Sequence, residues 1–505
     1  MIIFNPHSKA NPLHHELIKM KKILLPTLMS LMPLMSLLSL LPSSSYAQVQ
    51  SLSATAQQAL NTHPEVLARW HAYAAAKNER EVASGGLKPR VDLTAGVGRE
   101  RLTESGQQQS FGRNSAALTL TQLLYDGQAK RNEVQRFQFL SSVRLYEIYD
   151  TAENVALETS RAFFDVLRYR KLLTLAEDNY VQHKLVFEQL QVKVNAGVAR
   201  RVDLEQANGR LALAETNLIT ETSNLHDVSA RFQRVTGAFP AKEMEIGVTL
   251  ERDLPPNITS ALRAAIGRHP ALRAAIENVR SADAAAKIQQ GAYHPRLDFR
   301  LRGERDHNLD GNAIGTRRDN AAELVLSWNL FNGGSDQSRV RQYADLLNQA
   351  RDERDKACID VRQNLTIAYN DARKLHEQLA HLDQHQISVD KARQAYRKQF
   401  EVGQRTLLDV LDTENELLQA RRAFINAEYD LQIAWARAHA GYGDLVAALN
   451  AKLSFNGEAP PDLRRENIGD AVATCGPETA PLYLIDKTAL DMRARDLMNQ
   501  SGGKP

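Results

Sequence analysis

Chemistry-bearing residues are plentiful in this chain, but few stand in a pattern that could use them. His381 and His385 lie one helical turn apart, the spacing of a metal pair. No glutamate accompanies them in a zincin arrangement, and a polar helix face accounts for both. Gly333-Gly334 has no lysine after it and makes no phosphate cradle. Ser, His and Asp occur without the strained Gly-x-Ser-x-Gly turn that exposes a nucleophile. Cys358 and Cys475 lie in different segments and fit no metal-ligand spacing, so they read as incidental thiols. The expectation is a protein that is not an enzyme, with no catalytic residue, no metal and no cofactor.

The sharpest local motif is a turn, Phe400-Glu401-Val402-Gly403-Gln404-Arg405-Thr406-Leu407-Leu408-Asp409-Val410-Leu411-Asp412. Gly403 suits the left-handed conformation that ends a helix. Thr406, with Asp409 three residues on, is the N-cap pattern that starts the next one. An earlier segment keeps Gly197 and Asp203 but carries Arg200 where Thr406 would stand, so its cap is weaker. Read locally, Asp409 is a helix cap and Asp412 a solvated helix face.

The surrounding composition favours long helices. Aromatics are 6%, and Ala, Leu, Gln, Glu, Asp, Arg and Asn dominate long stretches of the 505 residues. The 63 basic and 60 acidic residues leave a net charge of +3, without the one-faced basic excess of a nucleic-acid binder. Near the N-terminus, Lys21 and Lys22 precede an apolar run from Ile23 to Leu41, broken by Pro26 and Pro33 and followed by Ser45-Tyr46-Ala47. That is a secretory signal with cleavage after Ala47, preceded by an upstream extension if translation starts at Met20. No later segment approaches the roughly 18 apolar residues of a membrane helix. An exported chain of this kind is periplasmic, secreted or inserted as a β-barrel.

The chain repeats itself at one constant offset. His63-Pro64 recurs as His269-Pro270, 206 residues on (269 − 63), and the same offset links Pro89-Arg90 with Pro295-Arg296 and Leu124-Tyr125-Asp126-Gly127 with Leu330-Phe331-Asn332-Gly333. Gly197 with Gly403, Asp203 with Asp409, and Thr236-Gly237 with Tyr442-Gly443 hold it too. This is an internal duplication, far longer than a solenoid unit. Each repeat reads helix, two strands, two long helices. The boundaries are a signal at 1–47, a first repeat at 48–251, a second at 252–450 and a periplasmic tail at 451–505.

The first helix of each repeat is expected over about 52–84 and 258–290, ended by Pro89 and Pro295. In Leu297-Asp298-Phe299-Arg300-Leu301-Arg302 apolar and charged residues alternate, and Val91-Asp92-Leu93-Thr94 does the same. Such alternation suits a strand between lipid and water, or a half-buried soluble sheet. The polar stretches Arg101 to Arg113 and Glu304 to Asn320 read as extracellular loops. Four strands are too few for a membrane barrel, which must close and needs about eight. If they span lipid, several subunits share the barrel.

Long helices follow. Val166, Tyr169, Leu173, Ala176, Tyr180, His183, Phe187, Leu190 and Val194 step by three and four, and only His183 breaks the apolar stripe. Val361, Leu365, Ala368, Ala372, Leu375, Leu379 and Leu382 hold the same spacing, a heptad seam. A helix from about Gln128 to Asn195 is on the order of 100 Å long.

The turn around Val402-Gly403 and Arg405 to Asp412, with Ala196-Gly197 through Asp203, resembles the periplasmic tips of the TolC family of outer-membrane efflux and secretion proteins. The likeness runs from about Leu52 to Gly443. It implies a mostly α fold with a transmembrane β part: a homotrimer whose twelve-stranded β-barrel in outer-membrane lipid continues into a periplasmic α-helical coiled-coil barrel. It implies that Asp409 and Asp412 form rings of carboxylates at the pore gate, and that Asp203 and Arg405 latch neighbouring coiled coils. The family's best-known member has a tyrosine in that latch where this chain has Phe400. The tips at Gly197 and Gly403 would meet a periplasmic adaptor (membrane fusion) protein, itself joined to an inner-membrane ABC or proton-driven transporter. The implied function is an outer-membrane exit duct for secreted protein or small toxic compounds. Ala59-Leu60-Asn61-Thr62-His63-Pro64-Glu65-Val66 and the turn Tyr125 to Gln128 look more like the type I secretion branch. The rival reading from the residues alone is a periplasmic coiled-coil scaffold without a pore.

Overall fold

The computed structural model describes residues 49–252, 254–308, 315–455, 457–461, 475–476, 478 and 485–501. The signal expected at 1–47, the strand tip at 309–314 and Pro477 and Pro481 of the tail lie outside the described residues.

Helix α1 (Leu52–Thr62) and α2 (Pro64–Gly85) stand where one helix was expected. His63 breaks the run because the residue before proline is pushed to extended backbone, φ −66°, ψ 123°. Pro64 then sits at the first position of α2, where its missing N–H costs nothing. The same correction applies to α5 (Ile258–Arg268) and α6 (Pro270–Gln290), parted at His269. The remaining helices are α3 (Ala129–Asn195), α4 (Arg201–Thr236), α7 (Ser335–Glu401), α8 (Leu407–Tyr442), the short α9 (Leu445–Ala448) and α10 (Lys487–Ser501). The helices α1 to α4 start 206 residues before α5 to α8, as 335 − 129 shows for the long pair. At 67 residues each, α3 and α7 are about 100 Å long.

Two short strands, β1 (Gln50–Ser51) and β4 (Met244–Glu245), pair in parallel and tie the start of α1 to the segment after α4. The main sheet is antiparallel, order β2-β3-β5-β6, from β2 (Arg90–Glu104), β3 (Gln107–Tyr125), β5 (Arg296–His307) and β6 (Thr316–Ser327). The stretch from Arg101 to Arg113 is not a loop: β2 and β3 run on to a two-residue turn at Ser105-Gly106, both at positive φ. Likewise β5 and β6 pair out to His307↔Thr316. Polar side chains there disguised strands whose backbone partners are satisfied across the ladder.

In the half of the sheet next to the helices, register sorts the residues by face. Val91↔Leu120, Leu93↔Leu118, Leu301↔Ala322 and Phe299↔Leu324 share one face. Val97 is 88% and Leu93 74% exposed there, although both are apolar. The other face carries Asp92, Arg296, Asp298, Arg302, Glu304 and Asp319 in a web of ion pairs, such as Arg296–Asp298 at 2.7 Å. Strands β2 and β6 are the outer members, and among the described residues the sheet does not close.

Four clusters of buried residues hold the helices, the smallest of them, Val389, Leu417 and Ala420, between α7 and α8. The largest, at the waist, joins α1, α2, α3, α4, α8 and α9 around the fully buried Phe163, Phe164 and Phe232. Burying each such ring contributes about 2–3 kcal/mol. A second joins α5, α6 and α7 through Leu262, Leu272, Val361 and Leu365. A third lies at the hairpin tips. The expected seams are buried or half-buried, and His183 belongs to its seam at 5% exposure rather than breaking it.

Cys358 and Cys475 are not incidental thiols. They form a disulfide, Cα–Cα 5.9 Å, between α7 and the tail. Sequence spacing hid the pair because 117 residues of chain fold back before the two meet.

Candidate functional site

The α3/α4 and α7/α8 pairs are long hairpins, and their turns are built alike. Gly197 and Gly403 take φ of 75° and 74°, a conformation only glycine adopts without strain. Val198 N–H donates to Lys193 O at 2.9 Å, and Gln404 N–H to Gln399 O at 2.8 Å, closing the last turns of α3 and α7. Thr406 caps α8 in a full capping box: its Oγ1 accepts from Asp409 N–H at 3.3 Å, and Asp409 Oδ2 accepts from Thr406 N–H at 3.1 Å. Arg200 caps α4 with no side-chain bond, as its type requires.

Four helices meet at the tips through Leu190, Ala207, Leu407 and Leu411, with Phe187, Leu204 and Phe400 packed beside them. Phe400, which lacks the hydroxyl of the family's tyrosine, serves there by packing.

Each sequence-predicted site residue has a partner close by. The Thr406 hydroxyl and N–H, then Arg405, hold the Asp409 carboxyl below the usual carboxylate range. Arg405 stacks on the Tyr396 ring, 4.2 Å from its centre, donates to Gln399 Oε1 at 3.1 Å, and lies 3.8 Å from Asp409. Asp203 pairs with Arg200 of its own turn at 3.2 Å. Within the chain, then, Asp203 and Arg405 do not meet. Asp412 pairs instead with Arg210, reaching from α8 to α4 of the other hairpin. His183 of α3 is held below its ordinary value by burial and by Arg210 nearby.

Sequence reading missed the ion pairs that join the hairpins. Arg422 of α8 pairs with Glu221 of α4, itself 4% exposed and bonded to Asn224 Nδ2 at 3.2 Å. Higher up, Arg168–Asp430 at 2.6 Å and Lys171–Glu428 at 2.8 Å join α3 to α8. A signal did exist: Ala207, Ala214, Glu221 and Val228 follow at intervals of seven and are all buried, so the one carboxylate among them needs a counterion.

A cavity of about 500 Å³ lies at the waist, lined by Asp150, Glu153, Arg161, His269, Asp360 and Arg437. Burial pushes Glu153 up to about 8 against the pull of the Leu445 and Val446 N–H groups that it caps. Burial pushes His269 down to about 4, and its Nδ1 has no hydrogen-bond partner among the described residues. No described group of His, Cys, Asp or Glu has the geometry of a metal site.

A sheet with one apolar and one charged exposed face, running directly into hairpins of this length with ion-paired tips, defines a membrane-channel class of protein. The family of outer membrane efflux proteins matches residues 55–238 and 261–440, and the chain belongs to that family. It is 25% identical over 487 residues to the outer membrane protein TolC of Escherichia coli K12, covering 91% of this chain and 96% of that one. It is 25% identical over 456 residues to the alkaline protease secretion protein AprF of Pseudomonas aeruginosa, covering 85% and 91%. The solved CmeC outer membrane channel of Campylobacter jejuni shares the fold, with a TM-score of 0.72 at 14% identity over 84% of this chain and 89% of that one. The chain is thus an outer-membrane channel protein of the TolC family with a large periplasmic portion.

Proposed function

We propose that three copies of this chain form the exit duct of a tripartite export system, conducting substrate passively from an inner-membrane transporter and periplasmic adaptor to the exterior. The observation that carries this reading is the sheet: four strands, both outer edges unpaired among the described residues, and exposed apolar side chains on one face. In lipid such edges must pair with something, and other copies supply identical ones. Three sheets make twelve strands, above the roughly eight that a small barrel needs.

The helices support the same assembly. Helix α6 packs on both α3 and α7, while α2, its counterpart in the first repeat, packs on α3. The upper part of α7, with Leu346 and Ile359 exposed, is left as the seat for α2 of the next copy. In that assembly Asp409 and Asp412 face the axis at the gate, Asp203 and Arg405 latch adjacent coiled coils, and the tips at Gly197 and Gly403 receive the adaptor. Carboxylate rings at a constriction attract cations and bind a blocking divalent ion. Secreted protein is the favoured cargo, since AprF is named for protease secretion and the likeness covers most of both chains.

The test is membrane fractionation followed by mass determination of the detergent-extracted particle. A detergent-requiring trimer is expected. A carbonate-soluble monomer or dimer would overturn the duct and favour a periplasmic scaffold.

A further inference from the structure

We infer that the tail after α9 is fastened to α7 by the Cys358–Cys475 bond, and that an oxidised protein dithiol acts on this chain after export to form it.

The described residues of the tail are anchored at two places, in different ways. The tail's first part is held by ordinary packing and hydrogen bonds on α1, α2 and α3. Phe455 stacks on Trp70 with ring centres 4.5 Å apart and planes 9° from parallel. Lys452 N–H donates to Gln57 Oε1 at 2.8 Å, and Gln57 Nε2 donates back to Lys452 O at 2.7 Å. Tyr149 Oη donates to Pro461 O at 3.0 Å. The second anchor lies on the other half of the chain, where Cys475 enters the cluster of Leu262, Val361 and Leu365 and bonds Cys358 of α7. Lys487 Nζ lies 3.5 Å from His381 Nε2, and the residues of α10 from Lys487 to Gln500 are exposed. Among the described residues of the tail, Cys475 is the buried side chain that meets α7, and it does so through its covalent bond.

Closing the bond removes two protons and two electrons from the two thiols. The electrons pass, through a mixed disulfide with one cysteine of the chain, to the disulfide of the oxidant, which leaves as a dithiol. The reducing cytoplasm does not sustain such a bond, whereas the space through which an outer-membrane protein passes does. The chain has only two cysteines, so one intramolecular pairing exists and no isomerisation is needed. Cys358 is 7% and Cys475 2% exposed, which shields the closed bond from small soluble thiols. It is a permanent clasp and not a switch.

Three measurements test this on the full chain, and none needs conduction or a trimer. Protein extracted from the membrane without reductant, then denatured and treated with a thiol-alkylating reagent, should gain no adduct, and two after reduction. Two adducts without reduction would remove the bond. In cells lacking their periplasmic dithiol oxidant, alkylation should rise to two adducts; a chain still fully bonded there would remove the oxidant. In Cys475→Ala and, separately, Cys358→Ala, hydrogen exchange at 258–268 and 357–365 should quicken at least tenfold while α3 and α4 keep wild-type rates. Unchanged exchange at those segments would remove the fastening, and mild reduction of folded wild type under partial denaturant gives the same comparison without a substitution.

Discussion

Asp409 is engaged within its own turn before any neighbouring copy arrives. It closes the Thr406 capping box, and its depressed ionisation follows from those two hydrogen bonds and from Arg405. Because its folded pKa lies below its unfolded one, its contribution is present above the ordinary carboxylate range and is lost as pH falls through the folded value. Thr406→Ala should cost about 1 kcal/mol of stability by removing the cap, read as a lower thermal midpoint in detergent. Replacing Asp409 and Asp412 together by Ala should abolish cation selectivity and divalent block in planar bilayers; unchanged block would take both residues away from the constriction. His269 carries the opposite sign of pH dependence from a paired histidine. Its pKa is pushed down to about 4 by burial, so the unfolded chain takes the proton first. Stability should fall as pH drops from the ordinary histidine range near 6.5 toward about 4 and change little above it. His269→Gln should flatten that slope in melts between pH 7 and 4.

At the scale of elements, the proposed duct sets the hairpins in water and one face of the sheet in lipid, so the two should tolerate different changes. Glu221 of α4 and Arg422 of α8 form the most buried ion pair between the hairpins. Glu221→Ala would strand a guanidinium that is only a quarter exposed, at a cost of roughly 2 kcal/mol, less than the 3–5 of a fully buried pair because water still reaches Arg422. Glu221→Leu with Arg422→Met should recover most of that loss in the same melt. On the sheet, Leu93 and Thr94 are neighbours on opposite faces. Leu93→Arg should cost about 2–4 kcal/mol if its face meets lipid near midplane, whereas Thr94→Arg should be tolerated on the wet face. Equal yields of folded, membrane-inserted protein for the two variants would refute a lipid-facing surface.

At the scale of the whole molecule, the proposed duct makes one chain a part of a larger assembly. Among the described residues its sheet has two free edges, and α7 exposes Ile359 and Ile367 while α3 is covered by α2 and α6. Ile359→Asp should weaken the assembly of copies while leaving the helical content of each unchanged, measured by particle mass on dilution in detergent. A particle of unaltered mass would exclude the upper face of α7 from the interface. The disulfide acts at this scale too, closing a 117-residue stretch of chain. Such a crosslink is worth up to about 4–5 kcal/mol by the loop-entropy account.

Much of this was legible in the residues because it depends on local periodicity. The 206-residue offset, the heptad seams and the alternating strands set the element types, and Gly403 with Thr406 and Asp409 set the turn, since helix ends are decided by a few neighbouring side chains. Polar patterning misled where backbone pairing decided the matter: β2 and β3 run through residues that looked like a loop, because a strand in water needs no apolar face to satisfy its ladder. His183 looked like a break in a stripe and is buried, because neighbouring helices cover its face. Residues far apart in sequence were beyond any local reading. Arg210 with Asp412, Arg422 with Glu221 and Cys358 with Cys475 are partners only because α4, α7, α8 and the tail come together, and separation along the chain says nothing about which side chains that packing will bring into contact.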